Sequence, residues 1–239
     1  MAKKSGNKAV RFFKNAIDYL LQALLIALQW AILLIVMYRV VPVPLTPLHI
    51  ARLFDQTEEG KPLRLTKDWT SIEHMGKPIC KAVLAAEDGR FFEHYGFDFE
   101  QMQKAIENSL EKGRKLRGAS TITQQTAKNL FFTPQRSWIR KVPEMGITVL
   151  LEVLWTKKRI LEVYLNIIET GEGIYGMEAA AREYFNKPCS KLSKRECALI
   201  ASCLPNPRTR KPDKPSKFIN RKAGKVQRGM NKIELVGWE

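Results

Sequence analysis

Glu87 and Asp88 close an apolar run, Ile79 to Ala86, and are followed by Arg90, Phe91, His94 and Gly96. A carboxylate that follows Ala82, Val83, Leu84, Ala85 and Ala86 is poorly hydrated, so its charged form is disfavoured and its pKa rises. Such a group is suited to general base or general acid work. An acid at the end of a helix also opposes the helix dipole, a mild cost that packing alone does not explain. The competing reading of the same residues is an ordinary polar helix terminus.

The second feature is a charge pattern. No acid occurs between Glu111 and Glu144, while Lys112, Arg114, Lys115, Arg117, Lys128, Arg136, Arg140 and Lys141 do. Interleaved with them is Gly118-Ala119-Ser120-Thr121-Ile122-Thr123-Gln124-Gln125. Glycine lets backbone approach a phosphate, hydroxyls and helix N–H groups donate to it, and Lys or Arg neutralises it. The competing reading is a solvated basic face or one lying on anionic lipid. Arg140 and Glu144 are spaced to share a helix face, although Pro143 must then sit in the first turn or kink the helix. Further on, Ile160, Leu161, Tyr164 and Leu165 mark a buried stripe, and Glu162 reads as a structural ion-pair partner.

Taken together these segments resemble the family-51 peptidoglycan glycosyltransferases. The family pattern E-D-x-x-F-x-x-H-x-G is met by Glu87, Asp88, Phe91, His94 and Gly96. G-x-S-T-x-x-Q-Q-x-x-K-N is met by Gly118, Ser120, Thr121, Gln124, Gln125, Lys128 and Asn129. R-K-x-x-E is met by Arg140, Lys141 and Glu144, and K-x-x-I-L-E-x-Y-L-N by residues 157 to 166. All four occur in family order, and the resemblance covers about residues 66–210. It implies a mainly α, lysozyme-like domain with two lobes, head and jaw. It implies polymerisation of lipid II into β-1,4-linked glycan strands with inversion and release of undecaprenyl pyrophosphate. Glu87 is then the general base and Glu144 the second essential acid. Ser120, Thr121, Gln125, Lys128, Asn129, Arg140 and Lys141 line the substrate cleft, and Asp88 and His94 support the Glu87 loop. The resemblance requires no cofactor, but leaves room for a divalent cation, Mg2+ or Mn2+, at Glu144. Its partners are lipid II, the nascent strand, the bilayer and other cell-wall synthesis or division proteins, with no nucleic acid. The short tail after Pro207 resembles the monofunctional members rather than class A penicillin-binding proteins, so no transpeptidase activity is expected.

These residues need elements to hold them. Tyr19 to Tyr38 is a run of twenty residues without a charge, Gly or Pro. At 1.5 Å per residue it spans about 30 Å, a bilayer's hydrocarbon thickness. Lys3, Lys4, Lys8, Arg11 and Lys14 precede it, which predicts an uncleaved signal anchor with the N-terminus in the cytoplasm and the rest outside. The chain carries a formal net charge of +16, of which the part beyond residue 40 keeps most. Its basic body therefore faces away from nucleic acid. The expected organisation is a cytoplasmic tail over 1–15, an anchor over 16–40, a Pro-rich juxtamembrane linker over 41–65 and the catalytic domain over 66–239.

Within that domain the signals are helical. Pro78 suits a first turn before Ile79 to Glu87. Asp98 with Gln101 and Ser193 with Glu196 read as capping boxes, and Ser120 or Thr121 and Thr156 as N-caps. Residues 144–155 read as a buried helix, Gly176 to Phe185 as another, and the basic tail as room for one more. No alternating strands are visible, and loops are expected near 88–97, 112–119, 130–137 and 167–175. Cys80, Cys189, Cys197 and Cys203 show no CxxC spacing, which disfavours zinc or iron–sulfur sites and favours buried thiols. No Walker loop or GxGxxG is present.

Overall fold

The computed structural model describes residues 3–113, 120–135 and 140–238, with side chains described from residue 11 onward except that of Lys112. Gly118, Arg114, Lys115, Arg117 and Arg136, which belong to the expected basic segment, lie outside the described residues. The chain forms two compact units, Met1–Val41 and Pro42–Glu239. The first is a single helix, α1, Lys3–Tyr38. Its segment Arg11–Tyr38 is long and apolar enough to cross a membrane.

The second unit is mainly helical. Its elements are α2 (Pro47–Glu58), β1 (Thr66–Lys67), α3 (Ile72–Met75), α4 (Lys77–Glu87), α5 (Phe99–Lys112), α6 (Ile122–Phe131) and α7 (Lys141–Leu154). They continue with α8 (Lys157–Ile167), β2 (Glu169–Gly171), β3 (Ile174–Tyr175), α9 (Met177–Phe185), α10 (Lys194–Cys203) and α11 (Lys217–Met230). Local chemistry accounts for most boundaries. Asp98 accepts from the Gln101 amide to open α5, and Thr156 from the Arg159 amide to open α8. Thr121 with Gln124 and Ser193 with Glu196 form complete capping boxes at α6 and α10. Each cap satisfies amides that the first helical turn leaves without partners.

Two packed groups frame the site. α4 packs against α10 and α11, and α6 against α7 and α8. Small residues allow the first group its close approach: a Cβ on Gly229 of α11 would lie 3.2 Å from the Ala85 Cβ of α4. The core contains Ile79, Val83, Ile122, Leu151, Ile160, Leu161 and Tyr164, all essentially inaccessible. The four cysteines are buried free thiols.

Three expectations are corrected. Residues 41–65 are not a bare linker, because α2 lies within them and is tied to the body. The Gln56 side chain accepts from the Arg64 amide at 2.7 Å and donates to its carbonyl at 3.2 Å, and Arg52 pairs with Glu169. A helix with so short an apolar stripe shows little periodicity by itself. The second correction concerns strands. A small sheet in the order β1-β3-β2 stands where a loop was expected over 167–175, with β1 parallel and β2 antiparallel to β3. Strands of two or three residues leave no alternation to read. Gly173, at φ +68°, turns β2 into β3 with its α-carbon too close to the Arg64 carbonyl for any side chain. The third correction is α7, which buries Glu144, Ile147, Thr148 and Leu151 but exposes Val142, Met145, Val149 and Val153. Its apolar residues occupy both faces.

Leu161, fully buried on α8, tests this core. Leu161→Ala is expected to lower the unfolding free energy by about 2–5 kcal/mol, read from denaturant titration of the detergent-solubilised chain.

Candidate functional site

The site begins where α4 ends. Asp88 caps that end, and its carboxylate joins three segments. Oδ2 accepts from the Ile122 amide, the first residue of α6, at 2.9 Å, and Oδ1 lies 3.0 Å from His94 Nε2. An anion at a helix N-terminus meets both free N–H groups and the positive end of the dipole. The loop between is pinned from α7 and α8. Lys157 sits 4.5 Å over the buried Phe91 ring and 2.8 Å from Glu152, which also accepts from Thr123 at 2.6 Å. Gly96, at φ +81°, lies so close to Thr148 and Glu152 that a Cβ would meet Thr148 Cγ2 at 2.8 Å. Asp88 and His94 thus contact each other between the end of α4 and the start of α6.

Glu87 faces a polar cavity of about 320 Å3, lined also by Ala86, Asp98, Gln101, Ser120 and Thr121. Its Oε2 accepts from Gln125 Nε2 at 3.0 Å, and Gln125 Oε1 in turn accepts from the Tyr164 hydroxyl at 3.1 Å. Burial raises the Glu87 pKa, while the Gln125 hydrogen bond and the charges of Lys222 and Lys128 pull it down and Asp88 pushes it up. The Tyr164 phenol, fully buried, is held well above its ordinary range. Hence Tyr164 is a permanent O–H donor that fixes which way the Gln125 amide points.

The second acid, Glu144, is 4 % exposed in the first turn of α7. Lys141 Nζ lies 2.7 Å from Oε1 and Arg140 Nε 3.7 Å from Oε2. Pro143 sits in that first turn without breaking the helix. Lys128 links the two acids electrostatically. Its pKa is lowered by burial first, then raised by Glu144, lowered by Arg140 and Lys141, and raised by Glu87.

Some cleft residues are committed elsewhere. Thr121 Oγ1 donates to the Gly96 carbonyl at 2.6 Å and accepts from the Gln124 amide, so its hydroxyl holds loop and helix together. Arg140 donates to the Thr133 carbonyl at 2.6 Å and also to that of Gln135. Asn129 is buried, and its amide Nδ2 has no hydrogen-bond partner among the described residues. Ser120 is exposed at the cavity mouth. Two residues were given no site role by the sequence: Tyr164, read as part of a buried stripe and of the fourth motif, and Lys222, part of a basic tail.

A divalent cation does not fit at Glu144, since both carboxylate oxygens already face cationic side chains. The one group of three metal-capable side chains among the described residues is Asp88, His94 and Asp98. Those carboxylates already accept from the Ile122 and Gln101 amides and from Arg90.

A buried acid thus lies beside a polar cavity, and a cluster of cations surrounds a second acid. The class of chemistry is glycosyl transfer, and the chain belongs to the transglycosylase family, whose model matches residues 56–231. Among similar proteins, the biosynthetic peptidoglycan transglycosylase of Bdellovibrio bacteriovorus is 44% identical over 215 residues, 90% of this chain and 84% of that protein. That of Bacteroides thetaiotaomicron is 43% identical over 220 residues, 92% and 88% of the two chains. That of Caulobacter vibrioides is 42% identical over 228 residues, 95% and 96%.

The raised pKa of Glu87 has a consequence for stability. A carboxyl that binds its proton more tightly when folded contributes stability below the ordinary carboxylate value and loses it as the pH rises through the raised one. Glu87→Gln, which does not ionise, is expected to melt at a higher temperature than wild type at pH 7.5 and at nearly the same temperature at pH 4. Thermal scans at both pH values check this.

Proposed function

We propose that the chain polymerises lipid II into glycan strands at the outer face of the cytoplasmic membrane. Glu87 acts as general base. It takes the proton of the acceptor's GlcNAc 4-hydroxyl as that oxygen attacks the anomeric carbon of the donor MurNAc. The bond from that carbon to the pyrophosphate breaks, and its electrons leave with undecaprenyl pyrophosphate. Attack opposite the leaving group turns an α-linked donor into a β-1,4 bond. The observation that carries this reading is the arrangement of Glu87, held by Gln125 beside a polar cavity, with Lys128 on the same helix as Gln125 and the Lys141–Glu144 pair at the start of α7.

In this reading Lys128, Lys141 and Arg140 stabilise the charge that develops on the pyrophosphate. Fixed cations in a partly desolvated cleft need no reorganisation as the bond breaks. Glu144 keeps Lys141 and Arg140 in place and limits the repulsion among the three cations. Asn129 offers its unpartnered amide donor to the same region.

The signal anchor holds the N-terminus inside and the second unit outside. We assign further membrane contact to the apolar face of α5, where no described side chain is buried. Phe99 is 72% and Leu110 79% exposed, with Ile106 between them on the same face and Tyr95 just before the helix. Apolar groups left so open gain by entering the acyl boundary, where they shed ordered water.

Labelled lipid II incubated with wild type and with Glu87→Gln tests the chemistry. Polymer is expected from wild type, with the variant slower by about 10²–10⁴-fold. Polymer from both at equal rates rejects Glu87 as the base. For the membrane face, a nitroxide on Leu110→Cys in vesicles is expected to be more accessible to oxygen than to a water-soluble nickel complex. The reverse order places α5 in water.

A further inference from the structure

The Gln125 side chain stands between two groups that fix its orientation. Its Nε2 donates to Glu87 Oε2 at 3.0 Å, and its Oε1 accepts from the Tyr164 hydroxyl at 3.1 Å. A carboxylate can only accept, so the amide nitrogen must face Glu87. The amide oxygen then faces Tyr164, and the phenol must donate. Tyr164 is fully buried on α8, and among the described residues its hydroxyl has no partner but Gln125. An amide turned the other way would set its oxygen against the carboxylate. It would also leave the phenol O–H without an acceptor in the interior, which is costly. The chain of bonds runs from α8 through α6 to Glu87, the last residue of α4.

The two oxygens of Glu87 are thereby distinguished. Oε2 carries the Gln125 bond. Oε1 accepts no hydrogen bond among the described residues, and Glu87 lines the polar cavity of about 320 Å3. We propose that Tyr164 is a positioning residue of the transfer reaction. Its hydroxyl holds the Gln125 amide with the nitrogen towards Glu87, so that Oε2 is occupied and Oε1 is left to take the acceptor's proton. The inference deepens the reading of Glu87 as base and rests on it. The acceptor O–H bond breaks as its oxygen bonds to the anomeric carbon, and the proton passes to Glu87 Oε1. Tyr164 keeps its own proton throughout and acts through Gln125 alone.

The arrangement carries a dependence on pH. A donor fixed on Oε2 strengthens when Glu87 is charged, so it favours the carboxylate over the acid. An amide free to turn can instead accept from the protonated acid, which favours that form. The charged groups acting on Glu87 are Lys222 from α11, Lys128 from α6 and Asp88 beside it. Those acting on the Tyr164 phenol are Glu87 and Asp88, and burial first, then both acids, keep it protonated.

The test removes the hydroxyl alone. In Tyr164→Phe the acid limb of kcat/KM for lipid II polymerisation is expected at higher pH than in wild type. Activity should be at least about threefold lower at pH 6 and recover towards pH 9. The Glu87 midpoint should rise with it, read by 13C NMR of the full chain in detergent micelles. Glutamate carboxyl carbons are labelled for this, and the Glu87 signal is the one missing in Glu87→Gln. Gln125→Met, which removes the amide, should show the same shift, and adding Tyr164→Phe to it should change nothing further. If Tyr164→Phe fails to fold by circular dichroism, 3-fluorotyrosine at position 164, a stronger donor, takes its place, with a shift to lower pH expected. An unmoved Glu87 midpoint overturns the proposal while leaving Glu87 as base. A loss of activity equal at all pH values, or undiminished in the Gln125→Met background, overturns it too, since either marks packing alone. Full activity of Glu87→Gln overturns the base assignment itself, and with it any use of Tyr164 in the reaction.

Discussion

The Asp88 carboxylate at the N-terminus of α6 is the contact on which the rest of the site depends. It draws the end of α4, the His94 loop and the start of α6 to one point. An unpaired helix N-terminus in the interior would leave amide donors unsatisfied, and a lone buried carboxylate would be costly. Each answers the other's need. Once they meet, Glu87 on one element and Gln125 on the next are within reach, and the loop from Phe91 to Gly96 has a fixed path. Gly96 can follow that path only because it has no side chain.

The same junction sets the electrostatics. A helix that ends in two acids works against its own dipole and its apolar surroundings. The opposing terms come from two helices: the terminus of α6 for Asp88, and for Glu87 the Gln125 amide and Lys128 of α6 with Lys222 of α11. Around Glu144 the balance is inverted, with a buried acid holding two cations together. In the proposed function this arrangement separates the place where a proton is taken from the place where negative charge departs, as an inverting displacement on opposite faces of one carbon requires.

α6 shows how polar a core helix can be when every group finds use. It buries Thr123, Gln124, Thr126 and Asn129 alongside Ile122, Ala127 and Leu130. Thr123 is bonded to Glu152, Gln124 to its own cap and Thr126 to the Ile122 carbonyl. Fully satisfied networks of this kind hold geometry more tightly than apolar contacts, which are less directional. The Asn129 amide, which has no hydrogen-bond partner among the described residues, lies on the helix that carries Gln125 and Lys128.

Much of this was legible in the residues themselves. Caps at Asp98, Thr121, Thr156 and Ser193, the helix ending at Glu87 and the apolar run after residue 18 all arise from interactions among near neighbours. Spacing along the chain records them directly. The four motifs, in order, also carried the family and the likeness of Glu87 to its base. What sequence could not determine is each relation between distant segments. α2 and the three short strands have too little periodicity to announce themselves, and they exist because Arg52, Gln56 and Arg64 find partners in the folded body. The outward face of α7 looks no different in sequence from its buried one. Tyr164 reads as packing until Gln125 stands beside its hydroxyl, and Lys222 reads as one more base in a basic tail until α11 sets it against the end of α10. Their surroundings are decided by helix packing, since a charge or a donor acts through space and spacing along the chain holds no measure of that distance.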